Sequence, residues 1–171
     1  MKQLLFASLI TLTFCGGKER WDVKTLCDKD AATINFTPIP VTVTHLTQLI
    51  TPKTLGKTPR QPCERQVYQV VAIVKDFFKE ADGDFHIVLQ DTAGVATMIA
   101  EIPDPTCDVT MRSPYINTFK AVRDSFLTIA KKGGTYCLTG VAFVDIKHPK
   151  PQRGVAANEI ELHPLLSFNR N

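Results

Sequence analysis

The stretch Asp82–Pro105, DGDFHIVLQDTAGVATMIAEIPDP, limits the choice of fold more than any other part of the chain. Phe85, Ile87 and Leu89 alternate with His86, Val88 and Gln90, the period-2 pattern of a strand with one face on a core. Asp82-Gly83-Asp84 before it and Asp91-Thr92-Ala93-Gly94 after it are turns, because Asp and Gly tolerate the backbone angles of a tight reversal. Thr97–Ile102 is the return strand, ended by Pro103 and Pro105, which have no N–H for a ladder. The stretch is a β-hairpin, and the remaining elements must close around it.

Upstream, Val67–Val74 (VYQVVAIV) is β-branched and free of breakers, which predicts a long strand buried on much of both faces. Downstream, Ser113-Pro114 predicts a helix start, with Ser as N-cap and Pro at the first position. Ile116, Phe119, Val122, Phe126 and Ile129 then form an apolar stripe at helical spacing. Lys131 and Lys132 favour the helix dipole at its end, and Gly133-Gly134 stops it. Tyr136–Ile146 is a fourth strand, in which Gly140 predicts a bulge or bend. Lys147–Gly154 is a basic loop, and Glu159–Phe168 a fifth strand. Three strands, a helix and two strands is the order of the five-stranded Greek-key barrel called the OB-fold. The expected fold is therefore mainly β: an OB-like barrel over 63–171, with its helix between strands three and four. Another small antiparallel barrel or an α+β sandwich is the competing architecture.

Met1–Phe14, MKQLLFASLITLTF, has one lysine before an apolar run too short to span a bilayer, the form of a secretory signal. Leu12-Thr13-Phe14-Cys15-Gly16-Gly17 resembles a bacterial lipobox, with Cys15 as the lipidation site and Phe14 where a small residue is expected. Lipidation and ordinary cleavage near Cys15 both stay open. The expected location is exported: periplasmic, on the cell surface or anchored to the outer membrane, with membrane contact only through such an anchor. Residues 15–62 form a tether and irregular arm, with a short strand in Ala31–Val43, a helical turn at Thr44–Leu49 and a loop at Thr51–Gln61. Trp21 is expected to cover the barrel.

With Cys15 set aside, Cys27, Cys63, Cys107 and Cys137 remain, and an even number in an exported chain predicts two disulfides. The preferred pairing is Cys27–Cys63 with Cys107–Cys137; free buried thiols are the alternative. No C-x-x-C pair suggests a thiolate zinc cluster. Lys+Arg 20 against Asp+Glu 17 gives +3, which provides no strong basic field for a dedicated nucleic-acid binder.

Four segments, DGDFHIVLQD, TMIAEIPDPTC, TGVAFVDIKH and RGVAANEIELHPLLSF, resemble those of exported bacterial proteins with OB-like barrels and no settled biochemical role. The resemblance runs from about Trp21 to Phe168, and MIAEIPDP and NEIELHP are its sharpest pieces. It implies a secreted or surface-anchored single-domain protein.

Three constellations carry chemistry. If Phe85, Ile87 and Leu89 face the core, then His86 faces out, as do Glu101, Glu161 and His163 on their strands, and His86, Glu101 and His163 are candidate metal ligands. The structural reading of the same residues is that they hydrogen-bond loops and the arm over the sheet; His163, just before Pro164, is expected to hold Glu101. Asp145 and His148, with Arg153 and Asn158 beyond, are a set a metal-dependent hydrolase could use, in a spacing that matches no nuclease or protease signature. Lys147, His148, Lys150, Arg153 and Asn158 lie in or near the loop where OB-folds hold oligonucleotides or sugars, but the hairpin's outward positions carry no aromatic stacking platform. No G-x-S-x-G, P-loop or G-x-G-x-x-G is present, and no cofactor is expected. The leading expectation is an exported, monomeric, non-enzymatic OB-like binding module for an unidentified ligand or protein; a metal-dependent hydrolase or an oligonucleotide- or oligosaccharide-binding protein is the alternative.

Overall fold

The computed structural model of the chain describes residues 20–52, 60–147 and 153–171. Six strands are present among them: β1 (Asn35–Pro40), β2 (Gln66–Lys79), β3 (Phe85–Asp91), β4 (Thr97–Ile102), β5 (Thr135–Val144) and β6 (Ile160–Arg170). Their order is β1-β2-β3-β4-β6-β5, and β5 returns to pair with β2. β4 and β6 run parallel, whereas the other barrel pairs are antiparallel. This is the closed OB-like barrel expected, with one extra strand: β1 adds in parallel to the start of β2. The 14-residue β2 is long enough to serve both neighbours, since Val67–Ile73 pairs with β5 and Ala72–Lys79 with β3, and a bulge between Val74 and Asp76 lets it curve.

Alternation along the strands fills the barrel. Tyr68, Val70, Ala72 and Val74 of β2 meet Ile87 and Leu89 of β3, Met98, Ala100 and Ile102 of β4, and Leu162, Leu165 and Phe168 of β6. Burial on both faces of β2 does not persist past Val67: Gln69 and Ile73 are half-buried and Val71 is exposed, since the described residues cover that side of the sheet only in part. Gly140 lies at the expected irregularity of β5, and a Cβ there would stand 3.0 Å from Leu162 Cβ and 3.1 Å from the Pro164 carbonyl.

Four α-helices lie among the described residues: α1 (Trp21–Lys24), α2 (Val43–Thr47), α3 (Asp108–Met111) and α4 (Ile116–Ile129). α4 begins at Ile116 rather than at Ser113-Pro114; Ser113 Oγ instead accepts the Tyr115 N–H at 3.1 Å in the turn before it. The predicted stripe is the face α4 buries, with Val122 and Phe126 in the barrel core and Phe119 beside Leu26, Val67 and Val141. α2 contributes Val43 and Leu46 to the barrel core and is fastened through Asp91, whose Oδ2 accepts the Thr44 N–H at 2.7 Å and hydroxyl at 2.6 Å.

The expected disulfides are not formed. Cys27, Cys63 and Cys137 are free thiols, which removes both the Cys27–Cys63 and the Cys107–Cys137 pairing. The fold separates them: Cys27 Sγ points to the Val109 carbonyl at 3.4 Å, Cys63 sits in the 3-10 turn Pro62–Arg65, and Cys137 lies within β5 opposite Val71 and Asn169. Cys15 lies outside the described residues.

Phe126 is 1% exposed and touches the rings of Phe77, Phe85 and Phe168 at centroid distances of 5.1, 5.1 and 5.2 Å. Phe126→Ala is expected to lower unfolding stability by about 3–5 kcal/mol in urea titration. A loss below about 1 kcal/mol would contradict this anchoring role.

Candidate functional site

Period-2 alternation places His86 of β3, Glu101 of β4, and Glu161 and His163 of β6 on the outside of the barrel. Because β3, β4 and β6 are consecutive in the sheet, these residues form a row: His86 is opposite Glu101, and Ala100 is opposite Leu162, which brings His163 beside Glu101. The outside of the barrel is not open to water here. His86, Glu101, Glu161 and His163 are all buried, together with Val88, Ile99 and Phe143.

The arm closes this face. Arg20 forms a two-pronged ion pair with the fully buried Glu64 and also donates to the Val144 carbonyl at 2.7 Å. Glu64 further accepts the Gln61 N–H at 2.6 Å and the Val144 N–H at 2.9 Å. Arg60, 3% exposed, donates to both oxygens of Asp28 and to the Val23 carbonyl. These bonds hold α1 over the sheet, so that Lys24 reaches Glu101 Oε2 at 3.8 Å and lies 5.2 Å from the Phe143 ring centre. Trp21 is half-buried at the edge of the same cover.

Glu101 is the hub. Its Oε1 is 3.1 Å from His86 Nδ1, and its Oε2 is 2.7 Å from His163 Nδ1 in an ion-pair contact without hydrogen-bond alignment. His86 Nδ1 is also 3.1 Å from Glu80 Oε1, and the ring stacks on Phe78 across the strand pair. His163 Nε2 is 3.7 Å from Asp84 Oδ2, and neither atom has a hydrogen-bond partner. Asp84 Oδ1 is occupied, accepting the Asp104 N–H at 2.7 Å. The predicted trio His86, Glu101 and His163 is thus joined through Glu101 but does not close around one point. Among the described residues, the groups whose donor atoms lie within 4.8 Å of one another are Glu80–His86–Glu101 and Asp84–Glu101–His163. His163 stands 2.7 Å from Glu101, the partner expected for it, in an ion-pair contact and not in a hydrogen bond.

Glu80, Asp84 and Lys24 are the members that sequence reasoning missed. Asp84 was within reach, because it precedes His86 by two positions and so shares its face. Lys24 carried no signal, since only the docking of the arm brings it to the site.

The candidate ligand-binding residues are dispersed. Asn158 Nδ2 donates to the Leu46 and Leu49 carbonyls at 2.9 and 3.0 Å, which pins α2 to the start of β6. Arg153 is paired with Asp76, which Lys132 also neutralises. Lys147 is exposed and, with Asn158, Asp145 and Glu159, lines a cleft of about 770 Å³ against Leu49–Pro52. His148 and Lys150 lie outside the described residues. The chain matches no protein-family model and no curated protein.

Electrostatics separates the roles in the row. Burial alone would raise the Glu101 carboxyl, but Lys24, His163 and His86 outweigh it and hold it well below the usual carboxylate range. Burial pushes Asp84 well above that range, and the charges of Glu101 and Asp82 push it further. For His86, burial disfavours the imidazolium, yet Glu101 and Glu80 together raise the ring to about 9. Because this exceeds the ordinary 6.5, the stability His86 contributes is complete below about pH 6.5 and is lost as pH rises through about 9. NMR titration of the His86 ring in chelator-treated protein is expected to show a midpoint near 9, and unfolding stability is expected to fall across it by on the order of 3 kcal/mol. A midpoint at or below 6.5 would refute the assignment of the charges.

Proposed function

We propose that this protein is an exported OB-like binding module that holds a divalent transition-metal ion at Asp84, Glu101 and His163. One observation carries the reading: His163 Nε2 and Asp84 Oδ2 face each other at 3.7 Å beside Glu101, sealed from water and without hydrogen-bond partners. A buried polar group normally finds a partner, and an ion held between Nε2 and the ionised Asp84 Oδ2 would supply one to both at once. A tetrahedral ion with bonds of about 2.0–2.2 Å sets its donors roughly 3.4 Å apart, close to the spacing found. Nitrogen and oxygen donors without a thiolate suit zinc and its neighbours rather than a soft ion such as Cu(I). Support for binding rather than catalysis comes from closure, since His163 and Glu101 lie beneath the arm and catalytic metal sites keep a position open to substrate.

Metal analysis and calorimetric titration of the full chain with zinc test the reading. Tight binding is expected, weakened roughly 100-fold or more by His163→Ala and by the near-isosteric Asp84→Asn, which keeps the fold intact if the histidine variant does not. Absence of binding at micromolar zinc, or unchanged affinity in both variants, would sink it. Export rests on the Met1–Phe14 run. Cell fractionation is expected to find a form lacking these residues outside the cytoplasm; an intact N-terminus confined to the cytoplasm would contradict export.

A further inference from the structure

We infer that the centre takes two divalent ions rather than one, with Glu101 bridging them and with Glu80 and His86 holding the second; this rests on the metal reading above. Glu101 divides its carboxylate. Oε1 turns to His86 at 3.1 Å and Oε2 to His163 at 2.7 Å, so each oxygen belongs to a different histidine. Each histidine in turn has a carboxylate of its own, Glu80 at 3.1 Å from His86 Nδ1 and Asp84 at 3.7 Å from His163 Nε2. The result is two sets of the same composition, one histidine and one terminal carboxylate, sharing a central carboxylate.

As the donors stand, one ion does not reach both halves: among the described residues, no set of donor atoms within 4.8 Å of one another contains both histidines. His86, Glu101 and His163 stand on three successive strands, and neighbouring strands are about 4.8 Å apart, so the two histidine backbones are separated by roughly twice that. Donors to one ion must all come within about 2.0–2.2 Å of it. A carboxylate on the middle strand, by contrast, can offer one oxygen to each side.

On the Glu80 side three donor groups already converge. His86 Nδ1 meets two carboxylate oxygens at equal distance, and a single N–H serves two anions there poorly. The ring is 2% exposed, and its other nitrogen, Nε2, is buried without a partner. Glu80 is the one member of either set whose side chain reaches solvent, at 30% exposure, which places the entrance on this side and the closed position at Asp84.

Stoichiometry separates this inference from the reading beneath it. Zinc titration of the full chain, followed by metal analysis after desalting, is expected to give two ions per chain. Glu80→Ala, a change at the solvent edge, is expected to leave one tightly held ion, and Asp84→Asn to leave one ion on the Glu80 side. Loaded with Mn(II), the wild type is expected to show a spin-coupled pair by electron paramagnetic resonance, and Glu80→Ala an isolated ion. One ion in the wild type, unchanged by Glu80→Ala, would overturn the second position and leave the first standing. No bound ion at all would overturn the reading on which both depend.

Discussion

Glu101 carries a carboxylate into a place that water does not reach, and the surrounding structure is arranged to keep it charged. Taking an isolated carboxylate out of water is among the largest penalties a fold can incur, far above the net stability of a domain of this size. The offset comes from Lys24 of the arm, His86 of the hairpin and His163 of the closing strand. Those three elements are far apart in the chain, and the one buried charge ties them together. Removal of any one would weaken the compensation of a buried anion, a change in the direction that makes buried pairs destabilising.

The arm therefore acts as more than a tether. In an OB-fold the face of strands two and three is where oligonucleotides and sugars bind. Here residues 20–28, held down by Arg20 on Glu64 and Arg60 on Asp28, bring Lys24 to Glu101 of β4 and Arg20 and Lys24 over Phe143 of β5, while Gly154 approaches Val88 of β3. Covering the face turns a solvent-exposed row of histidines and carboxylates into a low-dielectric one, where each charge acts more strongly on its neighbours. Lys24 compensates Glu101 through the same contact by which the arm docks.

Much of the barrel could be read from local pattern. The hairpin, the apolar stripe of α4 and the irregularity at Gly140 all follow from alternation, helical spacing and the absence of a side chain, and each depends on neighbours close in sequence. The cysteines could not be read this way. Parity predicted bridges, but Cys27, Cys63 and Cys137 are placed by separate elements in surroundings of their own, and a bond requires Cα atoms within a few ångströms of one another. Extra strand β1 lies within the short strand expected in Ala31–Val43, and its Pro38 and Pro40 suit the edge position beside β2, where prolines are tolerated.

The site divides along the same line. The sequence alone determined that His86, Glu101, Glu161 and His163 share the outer face of the sheet, because side-chain direction in a strand alternates with a fixed period and the strand order follows from the barrel. Tertiary structure alone decided that this face is buried, that Lys24 stands over Glu101, and that the two histidines serve different carboxylates, Glu80 and Asp84. Those facts depend on where the arm docks and how far each strand is offset from the next. Both are set by contacts between residues tens of positions apart, such as Arg20 with Glu64 and His163 with Asp84, which no local periodicity encodes.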